Sequence, residues 1–182
     1  MTWQVDNSHS HVGFAVRHMM ISKVRGEFTR FEATVNYDEQ TPANTTVEAK
    51  VYTNSVNTRD SKRDDHLRSP DFFNSAEYPA MIFKSKRVVQ ESANHGKLIG
   101  DLTIRDITRE VVLDVVNSGV AKSPWGTISA GFSASTVINR TDWGLTWNAA
   151  LETGGLLVGE QVTIEIELEL VQVPEAQAAQ VA

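Results

Sequence analysis

The stretch Val162–Leu170, VTIEIELEL, sets Val162, Ile164, Ile166, Leu168 and Leu170 in alternation with Thr163, Glu165, Glu167 and Glu169. Period-two alternation sends the two sets to opposite faces of an extended chain, so this segment reads as a strand with one face buried and one in water. The same pattern recurs upstream. Ile128, Ala130, Phe132, Ala134 and Ile138 stand opposite Ser129, Ser133 and Ser135. Leu98, Leu102 and Ile104 alternate with Asp101 and Thr103, and Val111, Leu113 and Val115 follow Thr108-Arg109 as the return strand. Val47, Ala49 and Val51 oppose Glu48 and Lys50, and Val12, Phe14 and Val16 form a short early strand. Repeated strands with little helix predict an all-β antiparallel domain, either a two-sheet sandwich or a closed barrel.

Between Val24 and Tyr37 the apolar parity moves from even positions (Val24, Phe28) to odd ones (Phe31, Ala33, Val35, Tyr37). A one-residue parity shift is what a β-bulge produces, and its expected place is Thr29-Arg30. One segment reads as helix: Thr58–Arg68, TRDSKRDDHLR, capped by Asn57 or Thr58 and stopped by Ser69-Pro70. Leu67 is its clear apolar anchor, so it is expected to lie over a barrel end with Phe72 and Phe73 turning back inside. A further helical turn is considered around Asn148–Leu151. Residues 1–172 read as one domain, and the tail from Val173 to Ala182 as a frayed end without packing partners.

The chain has 182 residues, enough for one domain that buries a core or encloses a cavity. Its 17 basic and 23 acidic residues give a net charge of −6, which argues against a basic footprint for nucleic acid and against electrostatic docking on anionic lipid heads. The absence of cysteine removes disulfides and thiolate chemistry. The start, MTWQVD, enters a strand pattern at once, without basic and apolar leader regions. No run approaches the roughly 18 apolar residues of a membrane span. The expectation is a soluble, cytoplasmic protein without stable membrane insertion.

Few residues suggest catalysis. His9 and His11 would share a strand face near Asp6 and His18, a spacing able to grip a metal, but no Cys and no second His pair joins them. They read as structural histidines, and no metal is assigned. Gly131-Phe132-Ser133-Ala134-Ser135 half matches a nucleophile elbow but lies mid-strand, where no strand-to-helix turn can expose the serine. No Gly-rich phosphate cradle is present, so no nucleotide cofactor is expected. The reading is of a protein that is not an enzyme. A metal-dependent or lipid-headgroup-modifying enzyme built on the amino-terminal histidines is the alternative.

The segment Ile138–Gly159, INRTDWGLTWNAALETGGLLVG, joins Asx and Gly turn residues to two indoles, Trp143 and Trp147. With Phe14, Met19, Met20, Phe28, Phe31, Phe72, Phe73, Met81, Phe83 and Phe132 the chain carries more aromatic and methionine surface than turns require. Methionine adapts to irregular apolar shapes, which suits a tunnel for a flexible chain; a dry, filled core is the competing reading.

This segment resembles the carboxy-terminal signature of the YceI-like family, small lipocalin-like barrels that hold polyisoprenoid lipids. Asp6–His18, DNSHSHVGFAVRH, is similar to the family's opening block; Arg63–Phe73, RDDHLRSPDFF, with Tyr78-Pro79, to its middle; and Gly100–Asp114, GDLTIRDITREVVLD, to the hairpin that follows. The resemblance implies a lipocalin-like antiparallel barrel of about eight strands with one short polar helix over an end. It also implies an isoprenoid quinone or polyprenyl phosphate in the lumen, and a homodimer. The aromatic and methionine residues named above would then line the ligand site. Donors for its polar head fall into three clusters: Arg17-His18, Arg63 with Arg68, and Arg140 with Asn148.

Overall fold

The computed structural model describes residues 2–174. Eleven strands form one antiparallel sheet: β1 (Thr2–Val5), β2 (His11–His18), β3 (Ser22–Phe28), β4 (Phe31–Asn36), β5 (Thr46–Tyr52), β6 (Val56–Asn57), β7 (Ala80–Gln90), β8 (His95–Ile104), β9 (Ile107–Lys122), β10 (Ile128–Asn139) and β11 (Val158–Val173). Their order is β4-β5-β7-β8-β9-β10-β11-β2-β3-β6, with β1 alongside β11. The sheet is strongly curled into a half-barrel of lipocalin-like form, as expected. Register breaks between Ser85 and Arg87 and between Gly131 and Phe132 add the local bend that curling needs.

The alternating faces fall as the pattern predicts. Ile164 pairs with Thr136 and Phe14, and Ile166 with Ala134 and Val12, so these apolar rows lie side by side on the concave face. Glu165 and Glu167 point to solvent on the convex face.

Several expectations change. The strand count rises from about eight to eleven because β1 and β6 are short and because Val24–Tyr37 is not one bulged strand. At Thr29-Arg30 the chain turns a corner and changes partners: β3 pairs β2 and β6, while β4 pairs β5. Backbone bonds from Thr29 N–H to Ser55 O and from Tyr52 N–H to Arg30 O hold that corner. A partner change shifts parity as a bulge does, so the pattern alone does not separate them.

The helix, α1, spans Ser61–Arg68 and is capped by Asp60, whose carboxylate accepts the Arg63 N–H at 3.1 Å. It starts later than Thr58 because Thr58 is engaged elsewhere: its N–H and Oγ1 both donate to Asp64 Oδ1, at 2.9 and 2.6 Å, in a buried contact. The further helical turn lies at Arg140–Trp143 rather than Asn148–Leu151. Val173 belongs to β11 and pairs with Thr2; the rest of the expected tail, from residue 175 on, lies outside the described residues.

Two packed clusters brace the curl. Phe72, Ile104, Val111, Trp143 and Leu145 are buried together beneath α1, with Leu67, Phe73 and Trp147 against them. Val35, Ala130 and Leu170 form the second, with Trp3, Tyr37 and Phe132 around it.

Candidate functional site

Between these clusters the concave face does not fill itself. A cavity of about 490 Å³ runs along the strands, lined almost wholly by apolar side chains. The inward chains of β2, β5, β8 and β11, among them Phe14, Val51, Leu98 and Ile164, are only half-buried although they face the interior. Close-packed interiors leave few voids larger than a water molecule. Inward apolar side chains that keep accessible surface therefore mark a lumen, within the range of small-molecule sites.

Most of the residues expected at a ligand site line this lumen. Phe14, Phe28 and Phe31 stand on β2, β3 and the start of β4, and Met81, Phe83 and Phe132 on β7 and β10. Phe72 and Phe73, following α1, close one end together with Trp147. His18 and Arg140 also reach the lining. Trp143 lies behind it, 3% exposed, with its indole Nε1 donating to Leu102 O at 3.0 Å. Asn148 lies off the lining too; its amide holds both the N–H and the C=O of Val158. Met19 and Met20 are outside the lumen, 41% and 66% exposed.

The lining also includes groups that aromatic content did not point to. Val47, Val51, Leu98, Leu113 and Ile164 form much of the wall, and their signal was the strand alternation itself. At the turn between β7 and β8 the lining becomes polar, with Gln90, Ser92, Asn94 and His95, and Asn117 beside them donating to Tyr37 Oη at 3.3 Å. Gln90–His95 are one turn, but nothing in the sequence brings Asn117 and Tyr37 to it.

The capped end is built around Arg140, 5% exposed. Its Nε donates to Gly159 O at 2.8 Å, Nη1 to Leu145 O and Trp147 O at 2.6 and 3.0 Å, and Nη2 to Val158 O at 3.3 Å. Desolvation pushes its pKa down from the ordinary value, with Glu160 opposing the shift. Carbonyl dipoles satisfy the buried cation, and the guanidinium in turn staples the loop at Leu145 and Trp147 to the start of β11. The helix arginines are similarly engaged: Arg63 with Thr58 Oγ1 and O, and Arg68 with Asn54 O, Val56 O and Asp65. His66 stacks edge-on against Trp147, with ring centroids 4.5 Å apart.

The amino-terminal histidines separate. His18 reaches the lumen, His11 pairs with Glu27 on the outside at 3.2 Å, and His9 bonds Asp6 at 2.7 Å. Asp6, His9 and Glu169 place ligand atoms within 4.8 Å of one another, off the lumen, and among the described residues are the set that could hold a metal. Both carboxylate oxygens of Asp6 already accept bonds, from Ser8 and from His9. Those bonds draw the Asp6 carboxyl down to about 2, Ser8 contributing most, and Asp6 in turn raises the His9 imidazole. The motif locks a turn: Ser10 Oγ accepts the Glu169 N–H, and the Asp6 N–H donates to Glu169 O.

A curled antiparallel sheet around an apolar lumen, capped by a polar helix, defines a lipocalin-like barrel. Residues 3–170 match the YceI-like domain, and the chain belongs to that family. It is 38% identical over 165 residues to a UPF0312 protein of Staphylococcus aureus strain N315, covering 90% of this chain and 94% of that one. Among solved structures it is similar to a Campylobacter jejuni YCEI protein (TM-score 0.74, 30% identity, 87% and 90% of the two chains covered). A polyisoprenoid binding domain from Saccharophagus degradans, implicated in plant cell wall breakdown, shares the fold (TM-score 0.65, 14% identity, 96% and 99% covered).

Proposed function

We propose that this protein binds and carries a long-chain isoprenoid lipid, an isoprenoid quinone or a polyprenyl phosphate, in its lumen and does not transform it. The observation that carries this reading is the lumen of about 490 Å³, whose inward apolar side chains remain only half-buried. Each buried methylene contributes about 0.8 kcal/mol, so an isoprenoid tail gains affinity without a hydrogen bond along the wall. Selection then rests on the length and width of the lumen.

A polar head stranded among apolar side chains costs on the order of 2–7 kcal/mol, so it must sit at an end. The arginines of the cap and helix are committed to backbone and side-chain partners. Arg17 and His18 at one end, and the Gln90–His95 rim at the other, are the polar groups that a head would meet. Family membership and the polyisoprenoid-binding description of a structural relative support the same ligand class.

Native mass spectrometry with lipid extraction of the purified protein tests this reading. The expected result is a stoichiometric isoprenoid adduct released by organic solvent. Failure to recover lipid, together with no uptake of an added isoprenoid quinone or polyprenyl phosphate, overturns it.

A further inference from the structure

The turn between β2 and β3 is built against its own sequence. Met19 and Met20 adopt φ of +51° and +61°, and the Ile21 N–H donates to His18 O at 3.1 Å. This is the hairpin turn with two successive left-handed residues, which Asn-Gly makes at little cost. Two methionines there carry strain, since their Cβ atoms crowd the backbone. They are not burying themselves in return: Met19 and Met20 are exposed, and Ile21 is 79% exposed.

The opposite loop completes the tip. Met19 N–H donates to Leu157 O at 2.8 Å, and Met20 Sδ lies over Gly155, at φ +89°, where a Cβ would collide with it. Leu156, 43% exposed, lies between Gly155 and Leu157, the residues that Met20 and Met19 meet. Four apolar side chains thus form one convex finger, and their chain neighbours His18, Leu157 and Val158 line the lumen. Scattered exposed apolar residues are ordinary; a strained, contiguous group at the end of an apolar lumen is not.

We infer that this finger, beside the Arg140 cap, seats that end of the barrel shallowly in a lipid bilayer, with the His18, Leu157 and Val158 side of the lumen next to the phase in which its ligand dissolves. The inference rests on the lumen reading above. A protein partner fits less well, because a stable interface needs roughly 800 Å² and 20–30 residues per side, far more than this tip supplies. Charge is close to balanced around the finger. Arg17, Lys23 and Arg25 flank it on the hairpin, while Glu152, Glu160 and Glu165 lie on the neighbouring loop and β11. Arg25 and Glu165 approach to 3.7 Å. Apolar insertion therefore drives docking, with little dependence on anionic lipid or salt. Among the described residues no helix is long and apolar enough to cross a membrane.

The test is co-sedimentation with phosphatidylcholine vesicles, with and without phosphatidylglycerol, at low and high salt. The wild-type chain is compared with a Met19→Asn, Met20→Gly, Ile21→Ser variant and with Trp125→Ala. The triple variant keeps the turn and relieves its strain, so its thermal midpoint should hold or rise while vesicle binding falls at least tenfold. Trp125, 90% exposed but away from the lumen, should be replaceable without effect. Wild-type protein that ignores vesicles, a triple variant that binds as wild type, or binding lost only in Trp125→Ala overturns the inference. Uptake of isoprenoid from detergent should survive in the triple variant. Loss of that uptake in every protein, with finger-dependent vesicle binding intact, overturns the lumen reading and leaves the finger standing.

Discussion

At the capped end, Phe72 and Trp147 stack with His66 within 5.6 Å of one another, and Arg140 and Trp143 are fixed by bonds to backbone carbonyls. Along the wall, Phe14 and Phe83 stand among Val51, Leu98 and Ile164 with lumen space beside them. Both regions use the same residue types. The cap is closed because its polar groups have fixed partners that hold the rings in one arrangement. The wall stays open because its strands are tied to each other by the ladder, so their inward side chains need not meet across the lumen. Rigidity at the cap and space at the wall therefore have separate causes and should respond to separate substitutions.

The largest expected effect is at the cap. Arg140→Met keeps much of the volume but takes this donor from the carbonyls of Leu145, Trp147 and Gly159, and leaves that of Val158 to Asn148 alone. Breaking a buried charged network costs on the order of 3–5 kcal/mol, which for a chain of this size lowers the thermal midpoint by roughly 6–20 °C. A loss below about 1 kcal/mol would mean that the loop holds itself.

At the wall, Ile166→Trp sharpens the contrast. Added bulk in a filled core costs about 1–3 kcal/mol. Here it enters the lumen between Val12 and Ala134, so stability should fall by less than about 1 kcal/mol while isoprenoid uptake, read by native mass spectrometry, falls at least tenfold. The reverse outcome, stability lost and uptake kept, would make this wall a packed core.

The smallest effect belongs to the Asp6–Ser8–His9 turn, which touches neither region. The folded Asp6 carboxyl is depressed from 3.8 to about 2, first by Ser8 and then by His9, so its contribution is complete above about pH 4 and is lost as pH falls towards 2. The raised His9 works in the other direction: its contribution is complete below the ordinary imidazole value of 6.5 and is lost as pH rises through the folded one. Asp6→Asn should lower the thermal midpoint by a few degrees near pH 6, with the difference closing towards pH 2 and narrowing at alkaline pH. A difference independent of pH would assign the loss to packing instead.

Strand identity was legible because alternation is a local property: the Val162–Leu170 pattern reads the same whichever neighbours it meets. So was the aromatic lining of β2, β3 and β10, since parity decides which side chains face inward; no alternation was read for β7, where Met81 and Phe83 stood out by residue type alone. The corner at Thr29-Arg30 was not legible as a corner, because a bulge and a change of partner shift parity alike. Nor did Trp143 and Trp147 differ in sequence. Only the fold sends one to Leu102 O behind the cap and the other to the lumen.

The sequence by itself determined the all-β class, the concave apolar face, the family and the polar helix, each carried by residues near one another in the chain. Tertiary structure alone decided which arginines are tied to backbone carbonyls, which methionines stay outside, that the Gln90–His95 turn meets Asn117 at one rim, and that the concave face encloses a space. Those outcomes depend on where distant strands bring their side chains, and on the curl that leaves a lumen between them, which no local pattern records.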